Sequence, residues 1–183
     1  MIRYLKNFLR GVNWQHKRLL WLVISVLILV TDQYTKALAL QLLHYNKPLT
    51  VISGWFEFRL LFNTGAAFSL LANAGNWTHV FFVTLTMIIC VLLLLWLWTG
   101  RELHKKMCLA LTLITGGALG NLMDRLYHGH VVDFIQLHYH HLYYYPAFNI
   151  ADSAITIGAL LLLYDSFTGA DHAQNETKNS KSS

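Results

Sequence analysis

Val80–Trp98 reads VFFVTLTMIICVLLLLWLW, nineteen residues without a charge. At 1.5 Å of rise per residue such a helix covers about 28 Å, close to the roughly 30 Å hydrocarbon core of a bilayer. The stretch predicts a transmembrane helix. The whole chain agrees: of 183 residues 55% are hydrophobic and only 13% are charged. A soluble domain carries about 25% charged residues, so half of the shell that keeps such a domain in solution is missing. Mean hydropathy is +0.41. Cys90 and Cys108 both lie in apolar runs, which leaves no disulfide framework and no paired-cysteine metal motif.

Outward from this span, three weaker ones can be read. The first runs from Leu19 to about Leu40 and is interrupted by Asp32 and Lys36; the third runs from about Met107 to Leu126 and carries Asn121, Asp124 and Arg125 in its last third; the fourth runs from about Ile150 to Tyr164, with Asp152 in its first turn. The net charge of +5 comes from basic residues beside the apolar runs, a pattern of membrane orientation rather than of nucleic-acid binding. Ten of the fourteen Lys and Arg residues flank one side: Arg3, Lys6, Arg10, Lys17 and Arg18, then Arg101, Lys105 and Lys106, then Lys178 and Lys181. Both termini are therefore expected in the cytoplasm, with outer loops at about 41–78 and 127–149. A cleaved leader is not expected, because Asp32 and Lys36 intrude between the apolar stretch and the Ala37-x-Ala39 pattern. The expected domains are a basic amphipathic cytoplasmic segment at 1–18, a single four-helix membrane unit at 19–168, and a disordered cytoplasmic tail at 169–183.

In the first outer loop, Phe56, Phe58 and Leu60 alternate with Glu57 and Arg59 after the turn signal Ser53-Gly54. This alternation predicts a strand, paired with Thr50-Val51-Ile52, resting an apolar face on the membrane. The expected fold class is thus a membrane all-α protein, four transmembrane helices with a small extracytoplasmic β-sheet in the first outer loop. The second loop is rich in His and Tyr, with His128, His130, His138, His140, His141 and Tyr143–Tyr145. It has no H-E-x-x-H, and H-x-H alone fixes no tetrahedral site, so no metal and no cofactor is expected.

The carboxylates carry the functional signal. Of nine acidic residues, Asp32, Asp124, Asp133 and Asp152 lie in or beside spans, where an ionisable group is costly and functional by default. The alternating direction of the spans brings all four to the outer face. Asp32 and Lys36 are four apart on one helical face and form a favourable pair. Asp124 shares a face with Gly117 and Asn121, and Gly116-x-x-x-Gly120 suits a close helix contact. Asp133 and Asp152 have no local cation. Taken singly, Asp152 reads as part of a capping box begun by Asn149, and Asp133 as a turn residue. Together they read as a pair that shares one proton: the ionised acid takes a proton from an attacking water, and the protonated one polarises a peptide carbonyl and then supplies the leaving amine. A helix N-terminus favours the charged form, so Asp152 is the expected base and Asp133 the acid.

Five stretches, in order, resemble the bacterial lipoprotein signal peptidase (signal peptidase II) family. They are Asp32-Gln33-Tyr34-Thr35-Lys36, Asn63-Thr64-Gly65-Ala66-Ala67-Phe68, the run from Gly116 to Arg125 (GGALGNLMDR), Val131-Val132-Asp133-Phe134, and Phe148-Asn149-Ile150-Ala151-Asp152. The resemblance implies an aspartic endopeptidase with the dyad Asp133 and Asp152 and no metal. It implies that Asp32, Lys36, Asn63, Gly65, Asn121, Asp124, Arg125 and Asn149 line or brace the site. It also implies a substrate, a prolipoprotein whose lipobox cysteine carries diacylglycerol, cut just before that cysteine, together with globomycin-type peptide inhibitors, membrane lipids as surroundings and a monomer in the bacterial inner membrane. The chain departs from the pattern in its His- and Tyr-rich stretch 138–145 and its 18-residue start. The rival from another class is a small transporter with a carboxylate relay, which would need polar residues continuing to the inner face, where the second span has none. A structural adaptor would have no use for clustered acids.

Overall fold

A computed structural model describes residues 2–65, 76–100, 103–140 and 142–181. The elements are α1 (Ile2–Leu42), β1 (Pro48–Ile52), β2 (Phe56–Asn63), α2 (Asn76–Thr99), α3 (Lys105–His128), β3 (Val131–Tyr139), β4 (Tyr143–Tyr144) and α4 (Ile150–Lys181). Four helical segments are long and apolar enough to cross a bilayer: Leu20–Leu42, Trp77–Thr99, Lys105–His128 and Ile150–Phe167. Each contains or overlaps one of the spans read from hydropathy.

α3 is the centre of the bundle. It buries most of its span, whereas the other three leave most of theirs exposed. Its sequence explains the difference. A Cβ added at Gly120 would lie 2.5 Å from Asp32 Oδ2, and one at Gly117 would run into the Ala151 carbonyl, so these small residues let α1 and α4 close on α3. Ser25 adds a hydrogen bond of 2.8 Å from its hydroxyl to the Thr112 carbonyl. α2, by contrast, exposes Phe81, Leu85, Ile88, Val91, Leu92 and Leu95, which is what an all-round apolar helix does in lipid.

The sheet corrects one expectation. It is antiparallel, in the order β1-β2-β3-β4, and is not confined to the first loop. The predicted hairpin forms, with Pro48 opposite Arg59 and Thr50 opposite Glu57. The second loop adds β3 and β4, and β3 pairs along β2 from Phe56–Leu137 to Asn63–Val131. The alternation also means something different. Glu57 is 1% exposed and Gln136 5%, so the polar side of the β2–β3 ladder is covered rather than wet.

Two helices run further than composition suggests. α1 is continuous from Ile2, joining the segment expected at 1–18 to the first span, and α4 continues through 169–181, expected to be disordered. Extending a formed helix costs far less than nucleating one, and neither junction carries a proline. At the other end of α3 the chain stops sharply. Gly129 adopts φ +75° and donates its N–H to the Arg125 carbonyl, a left-handed cap that turns the backbone into β3 two residues later. This turn delivers Asp133 to the mouth of the bundle.

Candidate active site

Asn149 is the hub of the polar cluster. As N-cap of α4 it accepts a hydrogen bond on Oδ1 from the Asp152 N–H at 2.8 Å, and its own N–H donates to Asp152 Oδ2 at 3.2 Å. This is a reciprocal capping box, as the spacing predicts. The fully buried Asn149 Nδ2 is then left to point the other way, donating to Asp133 Oδ1 at 2.8 Å, to the Val132 carbonyl at 3.2 Å and to Asn121 Oδ1 at 3.2 Å. Asn121, from α3, closes the circuit by donating Nδ2 to Asp152 Oδ1 at 2.7 Å. Two asparagines thus hold carboxylates from β3 and α4 in one network.

Beneath them lies a buried charge cluster. Lys36 Nζ reaches Asp32 Oδ2 at 2.8 Å, Asp124 Oδ2 at 2.9 Å and Asn121 Oδ1 at 2.9 Å. The predicted Asp32–Lys36 pair is therefore one half of a triad in which one ammonium serves two carboxylates. The second negative charge is met by backbone N–H groups: Ala151 donates to Asp32 Oδ1 at 2.9 Å and Val132 donates to Asp124 Oδ2 at 2.9 Å. Both donors are neighbours of the proposed dyad, so the triad fixes the backbone on which Asp133 and Asp152 ride. Gln33 belongs here too, donating Nε2 to Asp124 Oδ1 at 2.9 Å and to the Gly120 carbonyl at 3.1 Å. Its position beside Asp32 in an apolar span was the available signal, and it was not among the expected site residues.

Arg125 hydrogen-bonds the Asn121 carbonyl and lays its guanidinium 5.4 Å from the centre of the Phe82 ring, within the field of Asp152, Asp133 and Asp124. Asn63 hydrogen-bonds Asp133, and its Oδ1 accepts the Gly65 N–H at 2.9 Å, a turn in which Gly65 has φ +87°. The rest of that motif, 66–68, lies outside the described residues. Every predicted site residue therefore falls in this one network. Among the second-loop histidines, His130 packs against Phe62, His138 stacks on Tyr144, and His140 packs edge-on against Trp55 and Tyr139. His141 lies outside the described residues.

The two acids of the pair are placed differently. Asp152 is half-buried in the first turn of α4, while Asp133 is buried on β3, where Asn149 and Asn63 hydrogen-bond its carboxyl group. Burial, with the charge of Asp152 second, pushes the Asp133 carboxyl from 3.8 up to about 7, against the opposing pull of Asn63, Lys36 and Asn149. An acid held protonated near neutrality beside another carboxyl group is the arrangement that general acid–base catalysis needs.

A family model described as signal peptidase (SPase) II matches residues 24–168. A lipoprotein signal peptidase of Ectopseudomonas mendocina is 46% identical over 147 residues, 80% of this chain and 87% of that protein. One of Acinetobacter baumannii is 48% identical over 149 residues, 81% and 84% of the two chains. A bacterial membrane enzyme solved by the in meso method at 1.9 Å resolution superposes with a TM-score of 0.69 at 32% identity, covering 79% of this chain and 90% of its own.

Proposed function

The chain belongs to the signal peptidase II family and is a multi-pass membrane aspartic peptidase that removes signal peptides from prolipoproteins, and on that premise we propose that Asp133 and Asp152 are its catalytic pair. The observation that carries the assignment is Asn149, whose side chain and backbone hold one carboxyl group from each side at hydrogen-bond distance. Asp152, in the first turn of α4, removes a proton from water as the water attacks the scissile carbonyl carbon. Asp133, protonated, hydrogen-bonds the carbonyl oxygen and later gives its proton to the amine as the C–N bond breaks. The pair starts and ends with one proton. Its protons belong to both acids jointly, and the assignment describes the starting microstate. Asp32, Lys36, Asn121, Asp124 and Asn149 brace the pair, Asn63 and Gly65 shape its wall, and Arg125 supplies positive charge beside the negative charge that develops.

The charge split of ten to four supports cytoplasmic termini, with the sheet and the dyad on the outer side of the inner membrane. Residues 19–168 form the catalytic unit and act as a monomer. The substrate enters from the bilayer: its lipobox cysteine carries diacylglycerol, the acyl chains stay in lipid, and the cut falls just before that cysteine. Globomycin-type peptides compete for the same wall. Each buried methylene contributes about 0.8 kcal/mol of partitioning, so a diacylated peptide concentrates where an unmodified one does not. The test is cleavage of matched lipobox peptides by purified protein in detergent, followed on a gel. The diacylglyceryl peptide should be cut far faster. Equal rates would mean a general membrane peptidase.

A further inference from the structure

The network around the dyad leaves a second buried polar cluster unused. On the far end of the β2–β3 ladder, Glu57 lies opposite Gln136 and its side chain is 2% exposed. Glu57 Oε1 sits 3.7 Å from Arg59 Nε, and Oε2 sits 3.6 Å from the Nε2 of the buried His138. Arg59 donates Nη1 to Gln136 Oε1 at 3.3 Å and lays its guanidinium 5.6 Å from the centre of the Tyr144 ring. Gln136 in turn donates to the Tyr145 carbonyl at 3.3 Å. Buried charge is costly, and none of the contacts just given is made to Asp133 or Asp152.

The pairing of the strands shows what the cluster controls. Phe58 lies opposite Ile135, but Leu61 lies opposite Asp133, so β2 spends one residue more than β3 between the two pairs. This is a β-bulge, and it exchanges the faces of β2. Glu57 and Asn63 are both odd-numbered and would share a face in a regular strand. Because of the bulge, Glu57 shares a face with Gln136, while Leu61 and Asn63 share one with Asp133. A slip of the bulge by one residue would keep the strands paired and move side chains to the wrong side. Among the described residues, the dyad side is pinned by the Asn63–Asp133 hydrogen bond, and the other side is pinned by this cluster. The cluster also grips Tyr144 and Tyr145, and that stretch leads through Phe148, bonded to Ile135 in both directions, to Asn149 and Asp152.

We propose that Glu57, Arg59, Gln136 and His138 are positioning residues for the reaction, fixing the register of β2 and the 144–148 stretch on β3 and thereby the approach of Asn63, Asp133 and Asp152. The inference rests on Asp133 belonging to the dyad. Misplacement of about 1 Å at a catalytic group costs up to about a hundredfold in rate, so kcat falls while KM, set largely by lipid partitioning, stays. Glu57→Gln should lower kcat at least about tenfold with KM within about twofold. The discriminating variant is Glu57→Cys with Gln136→Cys in a background lacking Cys90 and Cys108. Directly opposed residues on antiparallel strands lie about 4.5–5.5 Å apart at Cα, within disulfide reach. Oxidised, this protein should recover kcat to within about threefold of its background. Reduced, it should fall to the level of Glu57→Gln. The comparison uses one folded polypeptide in two redox states, so it stands even if Glu57→Gln does not fold. Equal kcat in the two states, with the disulfide verified by mass, overturns the positioning role. Asp133→Asn run alongside separates the causes: if it retains turnover the dyad assignment has failed, and if it is dead while oxidation changes nothing, only the register device has failed.

Discussion

Asn149 and Asp152 hydrogen-bond each other twice, at 2.8 Å through the Asp152 N–H and at 3.2 Å through the Asn149 N–H, and this reciprocal cap is what frees the Asn149 amide to hold Asp133 at 2.8 Å. The helix cap and the proposed dyad are thus joined in one side chain. They can be separated. Asn149→Ser keeps an N-cap oxygen and should cost helix α4 little, whereas Asn149→Ala should lose about 1 kcal/mol. Both lack the amide that reaches Asp133, so both should lose most of the turnover. Thermal unfolding in detergent beside kcat checks this: a serine variant with full activity would show that the amide is only a cap.

The Lys36 triad predicts an asymmetry. Lys36→Met leaves Asp32 and Asp124 facing each other without their shared cation, and breaking a buried pair in this way costs about 3–5 kcal/mol. Asp32→Asn removes one charge of three and leaves Lys36 paired with Asp124, so it should be the milder change, with lower stability and residual turnover. Denaturation of the two variants in one detergent orders them, and the opposite order would contradict the triad.

Asp133 ties stability to pH in a defined direction. Its carboxyl rises from 3.8 to about 7 on folding, so the folded state holds the proton more tightly than the unfolded one. Its contribution is full below about 3.8 and is lost as pH climbs towards 7 and beyond. Relative to Asp133→Asn, which cannot titrate, the wild type should lose stability between pH 4 and pH 8. Turnover should decline on the alkaline side of about pH 7, where the acid is spent. A wild-type minus variant difference that is flat with pH would show an ordinary carboxylate.

Orientation is checked with single cysteines in a background lacking Cys90 and Cys108. Leu142, in the β3–β4 turn, is 83% exposed, and Ser180 lies near the C-terminus. An impermeant thiol reagent should label a cysteine at 142 from outside and spare one at 180. Labelling of 180 alone would reverse the sheet and the dyad, and labelling of both would contradict the four-span topology.

How far the sequence reveals this architecture depends on the range of each interaction. Hydropathy marks four spans, and the Asn149–Asp152 spacing marks the cap, because both are local. The second partner of Lys36 is not local: Asp124 lies on another helix, and the pairing by i,i+4 spacing finds only Asp32. β3 is hidden for a different reason. Gln136 and His138 occupy buried positions, so polar letters stand where a strand pattern would show apolar ones, and the stretch reads as a chemically interesting loop. A one-residue bulge in β2 leaves no mark in a single sequence. The convergence of the acids could be read because topology, rather than pairing, brings them together.

The central claim is that Asp133 and Asp152 act as one unit, and single-turnover cleavage of a diacylglyceryl lipobox peptide tests it most directly. Equal amounts of folded wild type, Asp133→Asn, Asp152→Asn, the double variant and Asp32→Asn are compared. Each dyad variant should still insert and bind substrate yet lose turnover almost completely, the double variant should be hardly worse than either single one, and Asp32→Asn should keep part of its rate. A substantial rate in Asp133→Asn or Asp152→Asn, with Asp32→Asn dead, would contradict the account and move the chemistry to other carboxylates.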